Sequence, residues 1–218
     1  MPKIKDPSLR EDGKLKVEWA RTRMPVLMKL KEKYQSTKPL RGLVIGGGLH
    51  VTKETAVLAE ALQAAGAEFH LCASNPLSTQ DDVAAFLASE GVDVYAWRGM
   101  SKDEYYWAIE QVLSKDPIII VDDGGDLTLA ALQKGKKLLG GCEETTTGIV
   151  RARAMASKGK LPFPVMAVND AETKWDFDNV YGTGQSALDG IIRSTNILLA
   201  GKTVVVSGYG HVGRGIAS

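Results

Sequence analysis

Several signatures that would announce a function are missing from this chain. Its 218 residues include two cysteines, Cys72 and Cys142, which lie far apart and outside any CxxC spacing. That excludes a disulfide framework and a thiolate zinc site, and both cysteines read as small buried apolar residues. Charge of one sign is missing as well. With 27 basic against 26 acidic residues the formal charge is +1, so no global field gathers nucleic acid or an anionic membrane, and any bound anion is held by a local site. The opening segment "MPKIKDPSLREDGKLKVEW" has charges where a secretory leader needs an apolar core. No uninterrupted apolar run reaches membrane-spanning length. The expectation is a cytoplasmic protein with neither membrane nor nucleic-acid partners. No repeat or low-complexity segment is visible.

What the chain does have is a globular composition, 44% hydrophobic and 24% charged, and a regular alternation of two periodicities. Residues 14–34 have helical spacing of Leu15, Trp19, Val26, Leu27 and Leu30 with Pro25 inside, which predicts a kinked or divided amphipathic helix covering one face of a sheet. "RGLVIGGG" reads as a buried strand ending in a glycine turn, "TKETAVLAEALQAAG" as a helix with Thr52 near its N-cap, and "AEFHLCASNP" as the next strand. The alternation continues with a helix over 79–89, the strand "VDVYAW", a helix over 102–113, the strand "PIIIVDD", a helix from about 127 and the strand "PVMAVND". Strands separated by helices imply an α/β fold, a parallel sheet with helices on both faces. "SALDGIIRSTNILLAGK" then reads as one long helix, and "TVVVSGYGHVG" as a strand entering a dinucleotide-binding turn. A fingerprint turn needs a long following helix and a partner strand, so the last unit is expected to be the start of a cofactor domain whose remainder is absent.

In such a sheet ligands bind beyond the carboxyl ends of the strands, which directs attention to "GGGLHVT", "SNPLSTQD", "DDGGD" and "VNDAETKWDFDN". His50 follows three glycines that would let backbone approach a ligand closely, though considered alone a helix-capping or packed histidine is the better reading. Asp122 and Asp123 are adjacent carboxylates at a strand end, suited to a general base or to turn formation; Asp126 reads as a helix N-cap. "CEETTTG" is either a helix N-terminus or a hydrogen-bonding surface for sugar hydroxyls or a cofactor. Lys174 stands four residues before Asp178 with Asn179 beside it, an ordinary helical ion pair or, in a cleft, a lysine placed to exchange a proton. The strand before Gly208, Gly210 and Gly213 favours NAD-type binding.

Together these segments resemble the S-adenosylhomocysteine hydrolase family. "LHVTKETAVL", "SNPLSTQDDVAA", "VYAWRG", "VDDGGDLT", "EETTTG", "VND" with "KWDFDNVYG", and "AGKTVVVSGYGHVGRG" occur in that family's order and spacing over nearly the whole chain. The resemblance implies a substrate-binding domain over 1–180, then a hinge, helix and first strand-turn of a Rossmann NAD-binding domain over 181–218. It implies reversible hydrolysis of S-adenosyl-L-homocysteine, a small nucleoside thioether, through transient oxidation of the ribose 3′ carbon by bound NAD. The resulting ketone acidifies the 4′ hydrogen, homocysteine leaves from the 5′ position, water adds, and the hydride returns.

On this resemblance His50 and Asp123 would serve the 5′ proton transfers, and Lys174 with Asp178 and Asn179 the 3′ hydroxyl proton. Thr52, Glu54 and Glu144 would bind substrate. Thr145, Thr146, Thr147, Gly208, Gly210 and Gly213 would bind NAD, and no metal is implied. A homotetramer is implied too. Thr183 stands where many members have a cysteine proposed to tune the cofactor's redox state. Three rival readings are an S-inosylhomocysteine hydrolase, against which Glu54 leans by accepting from an adenine amino group, a D-2-hydroxyacid-type NAD dehydrogenase, and a non-catalytic NAD-sensing or scaffolding homologue, which loss of His50, Asp123 or Lys174 would mark.

Overall fold

The computed structural model describes residues 2–218, which form two compact units, one extending to Met166 and the other running Ala167–Ser218. Among the described residues no helix is long and apolar enough to cross a membrane, and no group of three or more His, Cys, Asp or Glu is placed to hold a metal ion.

The first unit is built on a six-stranded sheet of β1 (Val44–Leu49), β2 (Glu68–Ala73), β3 (Asp93–Tyr95), β4 (Ile119–Asp122), β5 (Gly140–Glu143) and β6 (Val165–Ala167), in the order β3-β2-β1-β4-β5-β6. The ladders β1–β2, β1–β4, β2–β3 and β4–β5 are all parallel. The helices are α1 (Arg10–Arg21), α2 (Pro25–Thr37), α3 (Lys53–Ala64), α4 (Asp81–Ser89), α5 (Lys102–Leu113), α6 (Asp126–Gln133) and α7 (Thr146–Ser157). Crossovers between parallel strands are right-handed. A chain that winds outward from β1 to β2 and β3 through α3 and α4 therefore returns to β4 through α5 on the opposite face, where α6 and α7 follow. Packing agrees: α1 lies against both α3 and α4, and α5 against α6. The core between these layers includes Val57, Leu71, Val83, Leu87, Val94, Ile109, Val112 and Ile120, all buried.

The divided N-terminal helix is as expected, with Pro25 at the first turn of α2, where its missing N–H costs nothing. Several expectations need correction. The three glycines lie inside β1 and not in a turn after it, and they serve packing: a Cβ on Gly46 would come 2.9 Å from Val112, one on Gly47 2.6 Å from Phe69, and one on Gly48 2.7 Å from Asp122 Oδ1. β5 was not foreseen, because "GGCE" has little strand propensity of its own; it is a strand because β4 supplies its ladder. Asp126 is the first residue of α6, not its N-cap; Gly125 holds the cap position at φ 85°. The helix expected over 186–202 begins earlier and is shorter.

In the second unit a single helical turn, α8 (Glu172–Lys174), runs into a π-helix over Trp175–Gly182 and then α9 (Thr183–Thr195), which Asn196 ends at φ 52°. Thr203 to Val206 form no strand, since no neighbouring strand among the described residues offers a ladder, and Val205 is 88% exposed. The unit closes with α10 (His211–Ala217).

Glu60 on α3 ties α3 to α1 and α2 over the first face. Arg21 of α1 reaches it with Nε at 3.0 Å and a second nitrogen at 2.5 Å, and Lys31 of α2 donates at 2.8 Å. Burial pushes the Glu60 carboxyl up, but the hydrogen bonds from Arg21 and Lys31 outweigh it and hold the group below the usual range. Glu60→Ala in the full-length protein strands two cations at a buried site and is expected to cost about 2 kcal/mol at neutral pH. The loss should shrink only in strong acid, where pH falls through the lowered ionisation of the wild-type carboxylate; denaturant midpoints at pH 7 and about pH 2 check both parts.

Candidate functional site

The direction of winding reverses between β1 and β4, so the loops leaving these neighbouring strands part to opposite faces and open a crevice at their carboxyl ends. His50 is the first residue past β1 and Asp123 the first past β4. Backbone bonds extend the ladders to fix both loops: Asp123 N–H donates to Gly48 O at 2.9 Å, and Ser74 N–H to Leu49 O at 3.1 Å. The side chains meet in the crevice, with His50 Nε2 3.3 Å from Asp123 Oδ2. The imidazole's other nitrogen, Nδ1, lies 2.6 Å from Ser78 Oγ in the loop after β2. The Asp123 carboxylate keeps a 15% exposed side chain and His50 a 43% exposed one, so the pair is anchored below and open above.

Asp122 points the other way. In register with Gly48, it is buried and caps α6, accepting from Thr128 N–H at 2.7 Å. Burial pushes its carboxyl up, against the hydrogen bonds that lower it. Cys72, also in register with Gly48, is fully buried, and burial pushes its thiol up.

Glu143, which sequence reasoning passed over in favour of Glu144, is a second strongly perturbed carboxyl at the strand ends. It lies in register with Asp122, is 3% exposed, and its Oε1 accepts from both Gly124 N–H at 2.8 Å and Thr145 N–H at 3.1 Å. It fills the space over Gly148, where any Cβ would collide with its carboxyl group. Burial first, and then the charges of Asp122 and Asp123, push its pKa up to about 7, against those two hydrogen bonds. Thr145 holds the N-cap position of α7, and Thr146 and Thr147 are exposed in its first turn. Glu144 N–H donates to Asp122 O at 2.9 Å, placing the residue just beyond β5.

Thr52 caps α3, its hydroxyl accepting from Thr55 N–H at 3.5 Å, while Glu54 is exposed and paired with Lys53 at 3.2 Å. Asp126 accepts from Tyr105 Oη at 3.0 Å and Arg151 at 2.8 Å, so it braces α6 against α5 and α7.

The second unit assembles its own polar cluster. Lys174 Nζ donates to Asn179 Oδ1 at 2.8 Å and Asn169 Oδ1 at 2.9 Å, and stands 3.1 Å from Asp178 Oδ2. Asn179 Nδ2 in turn donates to Asn169 Oδ1 at 3.1 Å. The five-residue step from Lys174 to Asn179 matches the i to i+5 repeat of the π-helix that carries it, an element that recurs at functional sites. Asn169 was not foreseen; the available signal was a polar residue directly after the apolar "PVMAV". In the fingerprint, Gly208 has φ 95° and any Cβ on Gly213 would collide with Gly208 O, so the turn is as tight as a dinucleotide cradle requires. Thr183 Oγ1 donates to Asp178 O at 3.2 Å.

Glu143 gives a pH prediction. A carboxyl that ionises at about 7 when folded and at 4.5 when free keeps its proton longer in the native state, so its contribution to stability falls as pH rises from 4.5 through 7. The full shift corresponds to about 3 kcal/mol. Glu143→Gln keeps the Oε1 acceptor and removes the charge. Its urea midpoint, in the full-length protein, is expected to exceed the wild type's at pH 8 and to approach it at pH 5.

The family model for S-adenosyl-L-homocysteine hydrolase matches residues 2–139, and that for the S-adenosyl-L-homocysteine hydrolase NAD binding domain matches residues 179–218. The adenosylhomocysteinase of Aeropyrum pernix is 56% identical over 220 residues, covering 99% of this chain and 53% of that protein. The S-inosyl-L-homocysteine hydrolase of Methanococcus maripaludis is 54% identical over 222 residues, covering 100% of this chain and 54% of that protein. The chain spans about half the length of the curated relatives it matches. With its α/β sheet, its two matched segments and its strand-end His–Asp pair, the chain belongs to the S-adenosyl-L-homocysteine hydrolase family.

Proposed function

We propose that residues 1–180 form the substrate-binding part, and residues 181–218 the beginning of the NAD-binding part, of an enzyme that reversibly hydrolyses S-adenosyl-L-homocysteine to adenosine and L-homocysteine. The observation that carries the reading is the His50–Asp123 pair at the reversal point of the sheet, 3.3 Å apart and open to the crevice. NAD, when bound, supplies a reversible hydride acceptor for the ribose 3′ carbon; the tight turn at Gly208, Gly210 and Gly213 fits its pyrophosphate, with Thr145, Thr146 and Thr147 as further contacts. Lys174 takes the 3′ hydroxyl proton, held in place by Asp178, Asn179 and Asn169. Oxidation at 3′ acidifies the 4′ hydrogen, and loss of that proton expels the thiolate from the 5′ carbon. His50 and Asp123 pass protons to the departing sulfur and from the incoming water. Glu144, Thr52 and Glu54 orient the nucleoside and amino-acid ends.

The base is adenine on this reading, because the exposed Glu54 carboxylate accepts from an amino group. The inosyl reading has support of its own: relatives at 54% and 56% identity bear the two different names. Family membership sets the hydroxyacid dehydrogenase reading aside. A cytoplasmic homotetramer completes the proposal.

In the full-length enzyme, Lys174→Gln is expected to lower kcat by about a hundredfold or more and to abolish the reduced-nicotinamide absorbance that appears on mixing with substrate. Denaturing the active enzyme should release NAD; none released would refute the mechanism. Rates on the adenosyl and inosyl substrates separate the two bases, a faster adenosyl reaction being expected. Light scattering should give four subunits.

A further inference from the structure

We infer that Ser78 is a positioning residue for His50: it accepts the Nδ1 hydrogen and so reserves Nε2 for proton exchange with Asp123 and the reacting group. The inference rests on the role proposed above for His50.

The contact is short and directional. Ser78 Oγ lies 2.6 Å from His50 Nδ1, and Asn75 O stands 3.3 Å away as an acceptor for the hydroxyl's hydrogen. A hydroxyl has one hydrogen to donate, so with that hydrogen on a carbonyl it faces Nδ1 as an acceptor, and Nδ1 is the protonated nitrogen. Nε2, 3.3 Å from Asp123 Oδ2, is then the nitrogen whose proton comes and goes. The step balances: imidazolium gives the Nε2 proton to the departing thiolate and becomes the neutral Nδ1–H tautomer. The same Nε2 lone pair later takes a proton from water as its oxygen adds to the 5′ carbon. Ser78 accepts from Nδ1 in both states and need not move.

The loop is built to hold that hydroxyl still. Asn75 Oδ1 accepts from Leu77 N–H at 2.8 Å, closing a tight turn, and Gln80 ties the far end to the His50 loop. Gln80 N–H donates to Val51 O at 2.9 Å, and Gln80 Oε1 accepts from Lys53 N–H at 3.2 Å. Thr55 Oγ1 donates to His50 O at 2.6 Å, fixing the histidine backbone from the other side. Ser78 is thus bound to the same short segment that its hydroxyl serves.

The test uses full-length enzyme with 15N-labelled histidine, the His50 signals being identified by their loss in His50→Gln. Wild type should show the Nδ1-protonated neutral ring, and Ser78→Ala should move it towards the Nε2-protonated form. Ser78→Ala should lower kcat about tenfold, the worth of one hydrogen bond, with KM within about twofold. Ser78→Thr, which keeps the hydroxyl, should recover kcat to within about threefold of wild type. An unchanged nitrogen pattern and kcat in Ser78→Ala, or Ser78→Thr as slow as Ser78→Ala, overturns the inference. Full activity in His50→Gln overturns instead the proposed role of His50.

Discussion

A crossover between parallel strands turns only one way, and in a sheet that begins in the middle this handedness forces the chain to change faces once. In the present chain the change falls between β1 and β4. Everything that assembles at the crevice depends on it. The loops that carry His50 and Asp123 leave adjacent strands yet diverge, so two side chains some seventy residues apart in sequence converge without being buried by the helices that follow them. Had the winding continued in one direction, α6 would have stayed on the side of α3 and closed the gap.

The row immediately beneath shows how the floor of the crevice is made. Cys72, Gly48, Asp122 and Glu143 stand in register across β2, β1, β4 and β5. Two of these are carboxyl groups removed from water, both pushed up by burial; Asp122 accepts from an N–H of the helix after its own strand, and Glu143 from one N–H after its own strand and one after the neighbouring β4. The second unit uses a different device. There the π-helix spaces Lys174, Asp178 and Asn179 around one ammonium, with Asn169 closing the set.

Much of this was legible in the sequence, because the α/β alternation follows from apolar periodicity and the strand-end loops follow from the alternation. His50 and Asp123 could be picked out as polar residues at strand ends, but their roles and that of the Lys174 group came from the order of motifs shared with the family. What could not be read was whatever depends on a neighbour in space. Gly46 to Gly48 look like a turn in one dimension and are strand because Phe69, Val112 and Asp122 occupy the room their missing side chains leave. β5 owes its strand character to β4, and "TVVV", for all its β-branched residues, forms none without a ladder. Ser78 and Glu143 were invisible for a related reason: a serine in a polar loop and the first of two glutamates have no pattern until the fold sets them against a ring nitrogen and a helix end.

The fit of Glu143 over Gly148 has a consequence for how these positions can vary. A glycine near the start of a helix is ordinarily a weak point, since it leaves backbone freedom unspent. In α7 the vacancy is occupied by a side chain from the preceding strand, so the helix gains there a borrowed carboxyl group in place of its own methyl. The two positions share one volume. Enlarging the residue at 148 or shortening the one at 143 upsets the same partition, and a chain that changed one would have to change both.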